Sequence, residues 1–444
     1  MLIKYIRKSS IAAALLSSLL LSTGTLLASD QIPAPPQKQP IALVGGTIHT
    51  VSGATIANGT ILFDKGKITA IGTSVTIPAD ALRINIPGKH VYPGLIEAAS
   101  QIGLVEIAAE SATRDMAELG TMNPNVRAEV AVNPDSELIP VARSNGLAIV
   151  ATLPVGGMIA GKAAAIMLDG WTWEDVTLKA PVGMVVNWPN MRVNTSSNAR
   201  PAAAKQRENI QKRLDALTEI IQEARAYKLA ATTQGQKGAQ FYKKDARLEA
   251  LQPVINGELP LWIVANHVKQ IQTAVDWTTR EKLKMVLVGG ADSWMVTDLL
   301  NSADIPVILT PVLRTPSRRH EGVNSPFKLP AILHDAGIKF CIGGGSTTFG
   351  NDRNLPYHAA KAASYGLDKK VALQSITLAS AEILGIADRV GSLETGKDAT
   401  LIVTNGDPLE IPTQVEKLYL QGRDVDLGDK QKSLYEKYKQ KYAR

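Results

Sequence analysis

The stretch Val91-Tyr92-Pro93-Gly94-Leu95-Ile96-Glu97-Ala98-Ala99-Ser100-Gln101 decides the reading of this chain. Apolar residues run into a Pro-Gly pair, and a second short apolar run ends at a carboxylate. Such a run reads as a buried strand. Side chains on a strand alternate with period two, so Glu97, Ala99 and Gln101 fall on one face at its end.

Outward from that strand, the middle of the chain alternates apolar runs with helical patterns, the order that builds a parallel sheet. The runs are Leu147 to Leu153, Val182 to Asn187, Leu261 to Asn266, Met285 to Val288, Val307 to Leu309 and Phe340 to Ile342. Helical spacing is plainest from Ala202 to Ala231, where Ile210, Leu214, Leu217 and Ile221 share a face. Further helices are expected over Ile271–Leu283, Ser293–Ala303, Leu329–Ala336 and Val371–Leu384. A closed eight-stranded parallel barrel satisfies this order, with its working face at the strand C-termini. Ala108 to Ser136 has few apolar runs and is expected to cap that face.

Short strands with Gly turns flank the barrel region on both sides. Before it come Ile41 to Val44, Thr60 to Phe63 and Ile68 to Gly72, with Asp64-Lys65-Gly66-Lys67 as a hairpin signal. After it come Thr400 to Val403 and Val415 to Leu420. The expected layout is a signal peptide over 1–28, a proline-rich linker over 29–40, a composite β-sandwich from 41–89 plus 391–428, a barrel over 90–390, and a basic helix over 429–444.

The signal reading rests on Lys4, Arg7 and Lys8 ahead of the interrupted apolar stretch Ile11 to Leu27. It predicts export to the periplasm or medium, and no stable membrane insertion after cleavage. The formal charge is +7 and its lysines and arginines are scattered, so nothing points to nucleic acid. The single cysteine, Cys341, excludes an intrachain disulfide and reads as core.

The pattern around Glu97 resembles the first barrel strand of the amidohydrolase superfamily, Pro-Gly-Leu-Ile-Asp-x-His-x-His. The later stretch Gly391-Ser392-Leu393-Glu394-Thr395-Gly396-Lys397-Asp398-Ala399 resembles the return of that family's chain into its small β-domain. The likeness runs from about residue 41 to 428 and is nearest to imidazolonepropionase-like members. It implies a TIM-type (β/α)8 barrel with a small discontinuous β-sandwich, and hydrolysis of carbon–nitrogen bonds other than peptide bonds in small molecules. The family's cofactor is zinc or another divalent ion, which lowers the pKa of bound water and polarises the scissile carbonyl.

The resemblance also fixes where the metal donors belong, and this chain departs from it at each place. Ala99 and Gln101 replace the first two histidines, Val264 and Asn266 occupy the middle strand's positions, Gly289 stands for a histidine, and Gly345 stands for the last-strand aspartate. No metal cofactor is therefore expected. None of the six histidines has metal-ligand spacing with another. His49 and His90 fall in the small domain, and His320, His334 and His358 in loops or helices. Only His267 lies near a strand end.

Two functions remain open. One is a degenerate member that binds a small-molecule ligand, or serves as partner subunit to a metal-bearing amidohydrolase paralogue. Its ligand-binding candidates are Gln101, Asn187, Asn266, Asp292 and Ser346. The other is an active hydrolase on cyclic amides with an altered site, in which Glu97 and His267 are the candidate catalytic residues. Glu97 otherwise reads as a hydrogen-bonding strut at the barrel mouth. The glycine run Gly343-Gly344-Gly345-Ser346 offers a further expectation, a phosphate or carboxylate held by backbone N–H groups.

Overall fold

The computed structural model describes residues 31–233, 243–345 and 350–443. The chain divides into Met1–Ile32 and Pro33–Arg444, and the elements below all lie in the second unit. The expected signal peptide lies outside the described residues.

The first five strands are β1 (Ile41–His49), β2 (Thr55–Asp64), β3 (Lys67–Gly72), β4 (Leu82–Asn85) and β5 (His90–Pro93). Asp64 pairs with Lys67, and the two residues between them, Lys65 and Gly66, both have positive φ (48° and 78°). That is the primed turn whose twist matches a hairpin. The chain later returns with β14 (Leu401–Thr404), β15 (Val415–Leu420) and β16 (Arg423–Val425). Together they form one sheet in the order β16-β15-β14-β5-β1-β2-β3, with β4 also paired to β1. The expected composite domain is present, hydrogen-bonded as a single sheet around its own core, which includes Leu43, Phe63, Leu401 and Tyr419.

The deciding stretch is two strands rather than one. β5 belongs to the small sheet, while β6 (Leu95–Ser100) opens the barrel. Gly94 makes the crossing. Its N–H donates to the Thr400 carbonyl at 3.1 Å, and a Cβ there would stand 2.3 Å from that of Ala148. Only glycine fits so close an approach.

The barrel continues through β7 (Leu147–Thr152), β8 (Ile159–Met167), β9 (Thr177–Asn187), β10 (Leu261–Ala265), β11 (Met285–Gly289), β12 (Val307–Leu309) and β13 (Phe340–Ile342), neighbours in that order. The expected parallel run is broken once. β8 is antiparallel to both β7 and β9, so a hairpin replaces one strand–helix unit. Gly156 and Gly157, both at positive φ, turn the chain there.

No ladder joins β6 to β13; the barrel is nearly closed. The segment between helices Lys369–Gln374 and Leu378–Leu384 bridges the gap. Ile96 N–H donates to the Ile376 carbonyl at 2.9 Å and Ile342 N–H to the Ser375 carbonyl at 3.0 Å. These carbonyls are why the single helix expected over Val371–Leu384 is two. The long helix Ala203–Thr233 packs Leu217, Ile221 and Ala224 inward, and Arg225 holds the buried Glu281 at 2.6 Å.

The proline-rich stretch, expected as an extended linker, is docked on the fold over its described residues. Gln37 bonds the Phe63 carbonyl (2.9 Å) and the Gly66 N–H (3.0 Å). Ala34 N–H donates to Asp169 at 3.1 Å, and the same buried carboxylate receives Arg143 (3.1 Å) and Arg423 (2.6 Å).

Candidate binding site at the barrel mouth

The sequence between Gln101 and Ser136 folds over the C-terminal ends of the strands with little regular structure, burying Leu104, Val105 and Val132. Beneath it lies a cavity of about 390 Å³. Four of the six positions that the resemblance gives to metal donors, Ala99, Gln101, Val264 and Gly345, line this one space. Met116, Leu153, Val155 and Val288 complete an apolar wall, and Asn187 and Thr310 add two polar groups. Among the described residues no lining side chain is ionisable.

The Asn187 amide donates to the carbonyls of Gly156 (3.3 Å) and Gly157 (3.1 Å), which leaves its oxygen for the cavity. Among the described residues the Gln101 carboxamide bonds no protein group. The cavity therefore presents amide and hydroxyl groups in an apolar setting, the composition that holds a small uncharged molecule.

These residues do not fit the family's metal. Zinc takes thiolate, imidazole or carboxylate donors, whereas this wall offers two carboxamides and a hydroxyl. Two glycine positions are also filled by neighbours. A Cβ on Gly345 would lie 2.3 Å from that of Thr310, and one on Gly289 would lie 2.6 Å from Asn266 Oδ1. Asn266, expected to bind ligand, thus packs over Gly289 and accepts the Ala291 N–H at 3.4 Å. Among the described residues no three His, Cys, Asp or Glu side chains gather within reach of one ion.

Glu97 is fully buried. Its carboxylate accepts N–H groups from Ala99 (2.9 Å) and Gly344 (2.5 Å), the latter across the open seam of the barrel. Burial pushes its pKa well up, and the charge of Asp352 adds to that. Asp352 is also buried, its pKa raised by desolvation and only partly offset by a Ser100 hydrogen bond, and its Oδ1 has no partner among the described residues. Two neighbouring buried carboxyls each favour the protonated form over the charged one. Gly343 N–H is likewise committed, to the Leu309 carbonyl at 2.8 Å. With Gly344 bonded to Glu97, these two glycines have no free N–H for the expected anion. Ser346 lies outside the described residues.

His267 stands two residues past the end of β10, where its N–H donates to Gln270 Oε1 (3.2 Å) ahead of the helix Val268–Arg280. Its Nδ1 is 3.8 Å from Asp292 Oδ2. Burial, with Arg192 and Arg318 nearby, lowers its pKa against the pull of Asp292, so the ring is neutral. Burial pushes the Asp292 carboxyl up, but Arg318 and the Val268 N–H (2.9 Å) outweigh it and hold it low. Arg318 joins both Asp292 and Glu321. His267 and Asp292 are thus brought together; no hydrogen bond or ion pair joins either to Glu97.

Several residues of this region carried no signal in the sequence. Asp352 opens a short 3-10 turn, Arg318 sits in a loop, and Thr310 follows the short β12. His358 is buried, and its Nδ1 accepts the N–H groups of Val312 (3.2 Å) and Leu313 (3.3 Å). Burial lowers its pKa to about 4. Cys341 is fully buried in the strand, its thiol pushed up by desolvation.

Residues 271–425 match the model of the Amidohydrolase family. That match takes in the last three barrel strands and the strands that return to the small sheet. The curated amidohydrolase tasK of Hapsidospora irregularis is 21% identical over 82% of the chain, and the chain spans only 39% of that relative's length. The crystal structure of an amidohydrolase from Thermotoga maritima MSB8 superposes with a TM-score of 0.76, at 23% identity over 87% of this chain and 99% of the other. A prolidase complexed with N-methylphosphonate-L-proline superposes at 0.54, with 15% identity over 87% and 99%. The shared fold thus spans both the barrel and the returning sheet.

Proposed function

We propose that this amidohydrolase-superfamily chain is an exported, non-hydrolytic member that binds a small uncharged molecule at the barrel mouth and works as partner subunit to a metal-bearing relative. One observation carries the reading: the strand ends where the family places its donors meet at a cavity that no ionisable side chain lines among the described residues. A small ligand with one or two amide or hydroxyl groups matches Gln101, Asn187 and Thr310. A hydrolytic water at neutral pH needs an activating group, and the wall supplies none.

The test is bound metal in the purified protein after incubation with zinc or manganese and dialysis, beside turnover of cyclic amides. The expected result is no retained ion, no turnover, and co-purification with a co-expressed relative that keeps His-x-His on the same frame. About one ion per chain, lost on Glu97→Gln, sinks the reading.

A second reading has one specific observation in its favour. His267, neutral and beside the Asp292 carboxylate, has the form of a base with its orienting group. In that reading the chain is a hydrolase with an altered site that includes Glu97. Cyclic-amide hydrolysis that disappears in His267→Ala and survives metal chelation would establish it.

A further inference from the structure

The helix Lys430–Tyr442 is capped by Asp429, whose Oδ1 accepts the Lys432 N–H at 2.8 Å, and none of its residues is buried. Leu434, Tyr435, Tyr438 and Tyr442 are all exposed, and they line a single face. At 3.6 residues per turn these four fall within an arc of about 100°. The same geometry places Lys430, Lys437 and Lys441 along one border of that arc and Lys432 and Lys439 along the other. Glu436, the helix's one acid, is on the far side with Ser433 and Gln440, and Gln431 is the one polar residue inside the arc.

An apolar stripe, cations on both borders and polar groups behind it is the arrangement of a helix lying in a membrane interface. The stripe is mostly tyrosine, whose ring is apolar and whose hydroxyl stays wet, the residue favoured at headgroup depth. The lysines meanwhile cover the rings: Lys439 lies 5.5 Å over Tyr435 and Lys441 lies 5.2 Å over Tyr442. Their flexible stems can swing outward to phosphates. A second copy on this face would set five lysines against five, with a single Glu436 per chain to oppose them.

We propose that this helix docks the protein on an anionic phospholipid surface, with the Leu434/Tyr stripe at the acyl boundary and the lysines on headgroup phosphates. Docking of this kind is peripheral and needs no spanning segment. Among the described residues no helix is long and apolar enough to cross a membrane.

The experiment is co-sedimentation of the full chain with phosphatidylcholine vesicles, with and without phosphatidylglycerol, at low and high salt. The parent is compared with a variant carrying Lys→Gln at 430, 432, 437, 439 and 441, and with Tyr435→Ser/Tyr438→Ser/Tyr442→Ser. The apolar stretch Ile11 to Leu27 is common to all three, so differences report the helix. The substituted side chains are unburied, and thermal melts should be unchanged. The parent should favour anionic vesicles by about tenfold or more, with the preference lost in both variants and in high salt. Equal sedimentation of the three proteins overturns the proposal. So does a salt-insensitive self-association that the variants abolish, which would make the stripe a protein contact.

Discussion

The Glu97 carboxylate, on the first barrel strand, accepts the Gly344 N–H beyond the last one at 2.5 Å. It bridges the seam that has no ladder, while its other oxygen holds Ala99 N–H at 2.9 Å. The residue that opens the family's metal motif here stitches the barrel shut.

Both oxygens of Glu97 are acceptors, so a carboxamide can serve only one of the two N–H groups. Glu97→Gln is expected to cost about 1–3 kcal/mol of stability. Urea unfolding measures it; an unchanged midpoint would show that the seam does not depend on this residue.

Asp352 lies next to Glu97 with one oxygen unpartnered. Both carboxyls have raised pKa values in the fold. The native state then binds more protons than the unfolded chain from about pH 4 upward, so stability falls as pH rises through that window. Asp352→Asn removes part of that loss. It should gain roughly 1 kcal/mol or more at pH 7 and nothing near pH 3.5, read from melts at the two pH values.

His358 gives the opposite slope. Its folded pKa of about 4 lies below the ordinary value of 6.5. Between those values the unfolded state binds more protons, so stability present above pH 6.5 is lost as pH falls toward 4, by up to about 3 kcal/mol. His358→Gln keeps an acceptor for Val312 and Leu313 and cannot titrate. Its stability should be flatter than the parent's across that range.

Thr310 occupies the space a side chain at 345 would need, since an added Cβ would meet its Cβ at 2.3 Å. Gly345→Asp alone is expected to destabilise by more than about 2 kcal/mol. Adding Thr310→Gly should recover most of that loss. Equal stability of the single and double variants would show that the two positions do not compete.

The fold was legible because its frame is written in short patterns. The Asp64–Lys67 turn, the Pro-Gly-Leu-Ile run and the Gly-Ser-Leu-Glu return each specify a local conformation that survives in the structure. β8 was not legible. Ile159–Met167 contains four alanines, which favour helix locally, and only pairing with β7 and β9 makes it a strand. Gly94 likewise divides what reads as one apolar run, because its closeness to Ala148 is a tertiary fact. The cavity was half legible. Ala99, Gln101, Val264 and Gly345 follow from the resemblance, whereas Met116 and Thr310 arrive from a loop and a strand end that carry no periodicity.

The Asp169 cluster bears on how the chain is completed. Asp169 is buried and depends on Arg423, 254 residues further along, as well as on Ala34 and Arg143. Until the last strands are made, that carboxylate lacks one of its two cations, and β5 lacks its partner β14. A growing chain can form the early hairpin and individual barrel units, but neither the small sheet nor the Asp169 clasp can close until the strands through Arg423 have emerged. Completion of this fold is therefore gated by its own distal segment.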